Sequence, residues 1–393
     1  MDPANFTRPF GELRQTLQGH VAFFPFHLPR QMELNSDLVY LLSEADRRLG
    51  ELAGLARVLP NPQLLIAPLS QREAVLSSRI EGTQASVSDL AIFEAEGGEG
   101  RPRSDVLEVR NYRSAMNYGL ASELPLSLRL ARNLHERLMR GVRGQEKSPG
   151  AFRRTQNWIG APGCQLPDAT YVPPPPEALP ELLAEWEQFL HQDVRIPPIV
   201  KCAMMHYQFE AIHPFLDGNG RVGRLLITLY FCSMGHLPGP VLYLSPFFER
   251  HRDHYYDLLR GVSERGGWPA WISFFLRCVI VQCKDAIVRS SRLTALHEAY
   301  RKALLQAKAP PSAHRLVDEL FLNPATTLRV AALRLDVTPM SASRALDMLQ
   351  SLGILQEITG RKRNRIYVAH DLVSAIEDDS EVEGDLMEQS ALF

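Results

Sequence analysis

The chain has 393 residues, 45% hydrophobic and 22% charged, an ordinary composition for folded domains with room for two or three of them. A formal net charge of −2 excludes a general polyanion binder, so any nucleic-acid contact must come from a local patch. No run of about 18 apolar residues suggests a membrane span, no apolar stretch follows a basic start as in a signal peptide, and five cysteines (Cys164, Cys202, Cys232, Cys278, Cys283) lack metal-clamp spacing, so the expectation is a cytoplasmic protein with buried thiols.

Residues 1–35, with Pro3, Pro9, Pro25 and Pro29, read as an extended lead-in whose Phe23-Phe24-Pro25-Phe26 strip lies on a later helix. Ser36-Asp37 caps a helix to about Val58, with Leu38, Leu41, Leu42, Ala45, Leu49, Leu52 and Leu55 on one face. A second helix covers roughly Pro68 to Gly82, and Gly82 suits its C-terminus. Ser77 and Glu81 share one face of it. A glutamate at the negative end of the helix dipole calls for a cationic partner elsewhere. Glu94–Arg103 is a linker rich in Glu and Gly. Helices are predicted at about Ser104–Leu120 and Leu126–Arg140, then a hairpin made by Pro149–Gly160 and Ala169–Val172, leaving through Pro173–Pro176 in extended form. Further helices fall at Pro180–His191 and Pro198–Ile212, near Tyr255–Leu259, and at Trp268–Arg289.

From about Ala295 the character changes. Short helices at Ala313–Phe321, Leu328–Leu335 and Met340–Leu352 precede two β-prone pieces, Ile354–Ile358 and Ile366–Val368. The tip between these pieces carries Arg361, Lys362, Arg363 and Arg365. This order predicts a winged helix-turn-helix, and the acidic stretch after it predicts a disordered tail. The expected organisation is an N-terminal helical region at 1–103, a helical core at 104–290, a winged domain at 291–370 and a tail at 371–393.

The most informative stretch is His213-Pro-Phe-Leu-Asp-Gly-Asn-Gly-Arg-Val-Gly-Arg224, followed at once by an apolar helix. Glycines and an asparagine opening a helix present free backbone N–H groups and the positive dipole end to an anion. A base and a carboxylate beside that spot point to phosphate chemistry.

The stretch resembles the motif of Fic-domain proteins, His-x-Phe-x-(Asp/Glu)-Gly-Asn-Gly-Arg-x-x-Arg, with every fixed position present. The predicted hairpin resembles the Fic flap, and Ser77-x-x-x-Glu81-Gly82 resembles the family's inhibitory motif in the class controlled by an N-terminal helix. The fold implied is mainly α: a helical Fic core with a small β-hairpin flap, plus a C-terminal winged helix-turn-helix. The activity implied is transfer of AMP from ATP to a Ser, Thr or Tyr hydroxyl of a target protein, the protein itself included. His213 would take the hydroxyl proton, worth roughly 10²–10⁴ in rate. Backbone N–H groups of Gly218, Asn219 and Gly220 would stabilise charge on the α-phosphate, Arg221 and Arg224 would reach the β- and γ-phosphates, and Asp217 would hold Mg²⁺. By the same resemblance Tyr255 and Tyr256 would form the adenine slot, Ile159 and Gly160 would pin a target segment by main-chain pairing, and Glu81 would pair with Arg224 in the γ-phosphate position. Helical cores of this kind often pair, so the resemblance admits a homodimer.

Blander readings stand beside these. Ser77 and Glu81 alone fit a solvated helix face, and Tyr255 and Tyr256 fit a core. The basic wing suits DNA phosphates, but winged domains also dock proteins, and Ser341, Ser343 and Arg344 offer little for base readout. Two rival functions stay open on residues alone: a DNA-binding regulator whose nucleotide site senses ATP, and an enzyme that removes AMP with the same site.

Overall fold

The computed structural model describes residues 1–58, 61–97, 104–161, 163–235 and 237–378. It is mainly helical, with two small sheets. The expected extended lead-in contains a hairpin instead: β1 (Gly11–Gln15) pairs antiparallel with β2 (Val21–Pro25), Gly11 opposite Pro25. The Phe23-Phe24-Pro25 run is thus a strand, with Phe23 buried and its N–H donated to Val172 O at 2.9 Å.

α1 (Ser36–Val58) keeps its predicted span, but its cap is Asn35, whose Oδ1 accepts from Leu38 N. α2 (Gln63–Ile80) starts earlier than expected, with Pro68 buried inside it. Proline there leaves the Leu64 carbonyl without its i+4 donor. α3 (Val87–Ala95) is a helix the sequence reading passed over; Ser86 and Asp89 form a reciprocal capping box at its start. Of the predicted linker, residues 98–103 lie outside the described residues. α4 (Ser104–Ala121) and α5 (Leu128–Leu138) follow. The predicted hairpin is irregular chain closed by a single antiparallel bridge, Ile159 to Tyr171. After the proline run come α6 (Leu179–His191), α7 (Pro198–Ile212), α8 (Asn219–Ser233), α9 (Ser245–Arg250), α10 (Arg252–Arg265) and α11 (Trp268–Gln306). α11 runs unbroken across residue 290, where a domain boundary was expected. α12 (Pro311–Leu322), β3 (Ala325–Thr327), α13 (Leu328–Leu335), α14 (Pro339–Ser351), β4 (Gln356–Glu357), β5 (Ile366–Val368) and α15 (His370–Glu377) complete the fold. Thr327 and Thr338 cap α13 and α14 through their hydroxyls.

Two compact units emerge. One gathers Met1–Gly50, Ser114–His236 and Leu244–Ile280. Its centre is α7, buried on nearly every side. An all-round buried helix needs its polar side chains and its neighbours' donors paired. Trp186 Nε1 donates to Met205 O and Trp271 Nε1 to Ala203 O, both at 3.0 Å, and Lys201 Nζ donates to Leu190 O and Gln192 O at the end of α6.

The other unit gathers Glu51–Arg113, Leu237–Tyr243 and Val281–Phe393. Its sheet has the order β3-β5-β4, all antiparallel, and packs Ile366 and Val368 against Ala91 and Ala95 of α3. Buried Asp285 accepts from Arg72 Nη1 at 3.0 Å and from Arg289 Nη2 at 2.7 Å. Arg289 Nη1 also donates to the carbonyls of Ala375, Ile376 and Asp378, which satisfies the C-terminal end of α15. The expected tail therefore begins with a helix, whose Leu372 and Ile376 are buried. Residues 379–393 lie outside the described ones.

Candidate active site

The first unit assembles the site where α7 ends and α8 begins. His213 is the last link of α7: its N–H donates to Phe209 O at 3.0 Å, while its backbone is left-handed at φ 51 and ψ 60. Pro214 disfavours helical continuation at the residue before it, and a non-glycine residue in this region is held there by its surroundings. Three side chains do the holding. Arg153, 3% exposed, donates Nε to His213 O at 2.9 Å and Nη2 to Pro174 O and Ile212 O at 2.5 and 3.3 Å. Asn157 Nδ2 donates to His213 O at 3.2 Å and to Phe215 O at 2.8 Å. Asn219 closes the turn from the other side: its Oδ1 accepts from Phe215 N and its Nδ2 donates to Phe215 O, both at 2.8 Å. The motif asparagine therefore spends its side chain on the loop, not on a ligand. Phe215 is fully buried and stacks on His135 with 3.9 Å between ring centroids.

The His213 ring sits with Nδ1 3.2 Å from Glu210 O and 4.0 Å from Glu210 Oε2. A carbonyl can only accept, so this bond puts the proton on Nδ1 and leaves the Nε2 lone pair to act as base. α8 then opens at Asn219, after Gly218 in a left-handed conformation (φ 75). Its first N–H groups have no intrahelical partner, the arrangement that suits an anion. The Gly218 N–H itself donates to Asp217 Oδ1 at 2.7 Å, so Gly218 serves the carboxylate here.

Asp217 is framed by cations. Lys147 Nζ lies 2.9 Å from Oδ2 and Arg221 Nη2 3.6 Å from Oδ1. Burial pushes its carboxyl up, but Lys147, Arg221 and the Gly218 N–H outweigh that, and it is held below the ordinary carboxylate value. No group of three or more His, Cys, Asp or Glu that could cage a metal occurs among the described residues. One ionised, partly exposed carboxylate fits the way Mg²⁺ is held by one or two carboxylates plus substrate phosphates. Arg221 and Arg224 are both buried, Arg224 to 2% exposure.

His135, on the apolar face of α5, locks the site's rim. Its Nδ1 accepts from Gly150 N at 2.9 Å, so Nε2 carries the proton and donates to Asp217 O at 3.0 Å. Burial lowers its pKa to about 4. His206 behaves alike: Nε2 is 2.7 Å from Tyr255 Oη, and burial, with Arg224 adding repulsion, lowers it to about 3.

Tyr255 is 1% exposed and stacks on Phe248, a core position, whereas Tyr256 is 40% exposed. Of the two, Tyr256 has surface to offer a nucleotide. Ile159 uses both main-chain groups within its own loop: its N–H donates to Tyr171 O, and its O accepts from Thr170 N and Tyr171 N. Gly160 is crowded, since a Cβ there would lie 2.5 Å from Cys164 Sγ. In the second unit Ser77 is fully buried near the end of α2, and half-buried Glu81 caps that end, with Gly82 left-handed at φ 98. Arg361, Lys362, Arg363 and Arg365 are all exposed between β4 and β5.

Residues 39–121 match the Fic/DOC family N-terminal model and residues 125–231 the Fic/DOC family model. Two stretches of the chain are thus similar to the two halves of the Fic/DOC family. The Protein adenylyltransferase Fic of Culex quinquefasciatus is 30% identical over 207 residues, 51% of this chain and 38% of that protein. That of Drosophila grimshawi is 28% identical over 212 residues, 53% and 38% respectively. The chain thus matches under two fifths of the length of these curated relatives. A Fic family protein from Desulfovibrio desulfuricans G20 shares the fold, with a TM-score of 0.55 at 18% identity, covering 87% of this chain and 98% of that one. C. elegans Fic-1 (aa134–508) does so with 0.51 at 21% identity, covering 65% and 74%.

Sequence reasoning passed over five side chains that shape this site: His135, Lys147, Arg153, Asn157 and Glu210. His135 had a signal, a titratable residue on the apolar stripe of Leu130, Leu134 and Leu138. Lys147 and Arg153 act across long stretches of chain and had none.

Proposed function

We propose that this protein belongs to the Fic/DOC family and is a protein adenylyltransferase, moving AMP from ATP to a Ser, Thr or Tyr hydroxyl of a target protein, itself included. One observation carries the reading. His213 is fixed at the mouth of a helix N-terminus with its Nδ1 proton tied to Glu210 O, which leaves Nε2 as the base. The target hydroxyl oxygen would attack the α-phosphorus while its proton passes to His213 Nε2. The bond from that phosphorus to the bridging oxygen would break, and pyrophosphate would leave. N–H groups of Asn219 and Gly220 would meet the charge on the non-bridging oxygens, and Arg221 and Arg224 the outer phosphates. Mg²⁺, held by Asp217, would neutralise phosphate charge. Tyr256 is the better-exposed candidate for the adenine face. The relatives' name, Protein adenylyltransferase Fic, supports the same reading.

Control by an N-terminal helix is part of the proposal. Glu81, with Ser77 one turn before it, would pair with Arg224 in the γ-phosphate position and leave ATP misaligned. Glu81→Gly should raise label transfer from α-labelled ATP, and transfer equal to the parent would sink the inhibitory role.

For the C-terminal region we infer a winged helix-turn-helix. Its support is the order α12, β3, α13, α14, β4, β5 with a β3-β5-β4 sheet. Four exposed cations on the β4–β5 loop favour contact with DNA phosphates. If each neutralises one phosphate, log Kd for a DNA duplex should rise with log salt at a slope of up to about 4. Neutralising the loop should flatten that slope, and binding unchanged by the loop variant would remove the DNA reading.

A further inference from the structure

We propose that Lys147 is a built-in counter-cation for Asp217, screening that carboxylate from the nucleotide's polyphosphate until a divalent ion displaces it. The inference rests on the reading of Asp217 as metal ligand and adds a competitor to it.

The ion pair joins segments 70 residues apart, with Lys147 Nζ 2.9 Å from Asp217 Oδ2. The Lys147 side chain is 43% exposed and that of Asp217 31%, so a dissolved ion has access to both. The other oxygen, Oδ1, already accepts the Gly218 N–H. Oδ2 is therefore the oxygen at which lysine and metal would meet.

The backbone is shaped to bring the ammonium there. Gly144 is left-handed at φ 87, and a Cβ on it would lie 3.0 Å from the same Oδ2. Lys147 N donates to Gly144 O at 2.9 Å, and Ser148, directly after it, is a non-glycine residue at φ 56. Such a conformation persists where the surroundings demand it. Both segments are also fastened to one buried ring: His135 accepts from Gly150 N and donates to Asp217 O. The lysine loop and the aspartate loop are thus held in register by His135, which separates this pair from a chance meeting of two surface side chains.

An ammonium and a divalent cation cannot share one carboxylate oxygen without strong like-charge repulsion. Metal binding must release Lys147, whose flexible stem allows it to swing away. Without metal, Lys147 neutralises a carboxylate that would otherwise repel the polyphosphate. It therefore aids metal-free nucleotide and opposes the metal-bound complex. Both effects act in one direction on the ratio of the ATP Kd in chelator to the ATP Kd in saturating Mg²⁺.

Calorimetry with ATP on the full chain, in chelator and in Mg²⁺, measures that ratio directly. Lys147→Met should raise it about three- to tenfold, given the strength of a partly exposed pair acting twice. Lys147→Arg should stay near the parent. Arg143→Met, which removes a charge from the same exposed loop, should leave the ratio unchanged. A ratio unchanged or lowered in Lys147→Met, or raised equally in Arg143→Met, overturns the proposal. Asp217→Asn separates the two levels: its ratio should collapse toward one, and a parental ratio there overturns the metal assignment itself.

Discussion

Arg153 offers the sharpest test of how the site is held. Replacing it with methionine keeps most of its volume and removes three hydrogen bonds of 3.3 Å or less, to His213 O, Pro174 O and Ile212 O, with a longer one of 3.5 Å to Thr155 O. Hydrogen bonds from a charged donor contribute about 1.5–3 kcal/mol each, so the gross loss from the three shorter ones is about 4.5–9 kcal/mol. Against this stands the cost of burying the guanidinium. Burial lowers its pKa to about 10, a fall of about 2.5 from the ordinary arginine value. At 1.36 kcal/mol per unit that is about 3 kcal/mol. The net expectation is a loss of about 1.5–6 kcal/mol in urea unfolding. The turn would not collapse, because Asn157 still donates to His213 O. What should change is the aim of the imidazole. A misplacement of about 1 Å can cost about 10² in rate, so kcat for AMP transfer should fall about a hundredfold with little change in ATP affinity. Arg153→Lys should fall between parent and methionine variant, since an ammonium reaches fewer of the carbonyls. A methionine variant that keeps kcat within twofold and loses under about 0.5 kcal/mol would refute the idea that Arg153 positions His213.

Other outcomes follow from the same geometry. His135 and His206, held at about 4 and about 3 by burial, refuse protons that the unfolded chain accepts below about 6.5. Their contribution is complete above pH 6.5 and is lost as pH falls toward these values, so stability should drop by about 4 kcal/mol between pH 7 and pH 5; a flat profile in urea titrations contradicts it. Gly223→Ala would put a Cβ 2.3 Å from Glu210 Oε1 and 3.1 Å from His206 Cε1. The Glu210 carboxylate beside His213 must move, so kcat should fall about tenfold even though alanine favours the helix by up to about 1 kcal/mol; parental kcat would show that the carboxylate's position is immaterial.

The motif was legible because its chemistry is local. His213 to Arg224 fits one turn and one helix start, and the helix expected at Pro198–Ile212 is there as α7. What escaped was non-local. β1 and β2 hid because Phe23-Phe24-Pro25 reads as an apolar strip until a partner strand is known. α3 carried a legible capping box at Ser86 and Asp89, outweighed by the Glu- and Gly-rich stretch after it. α15 looked disordered from its acidic neighbours, yet it is fixed by Arg289, from a helix that ends 64 residues before α15 begins. The roles of Lys147 and Arg153 likewise depend on chain folded back onto the motif. Tyr255 resisted for the opposite reason: a tyrosine in a helix reads alike in a slot or a core, and only the structure shows its burial and its bond to His206.

The central claim is covalent transfer of AMP with His213 as base. Intact-mass and peptide mass spectrometry after incubation with ATP and Mg²⁺ tests it most directly, with the Glu81→Gly chain alone and with a cell lysate. The account predicts AMP on a Ser, Thr or Tyr hydroxyl, lost in the Glu81→Gly, His213→Ala double variant. No adduct on any protein, or an equal adduct without His213, would contradict it.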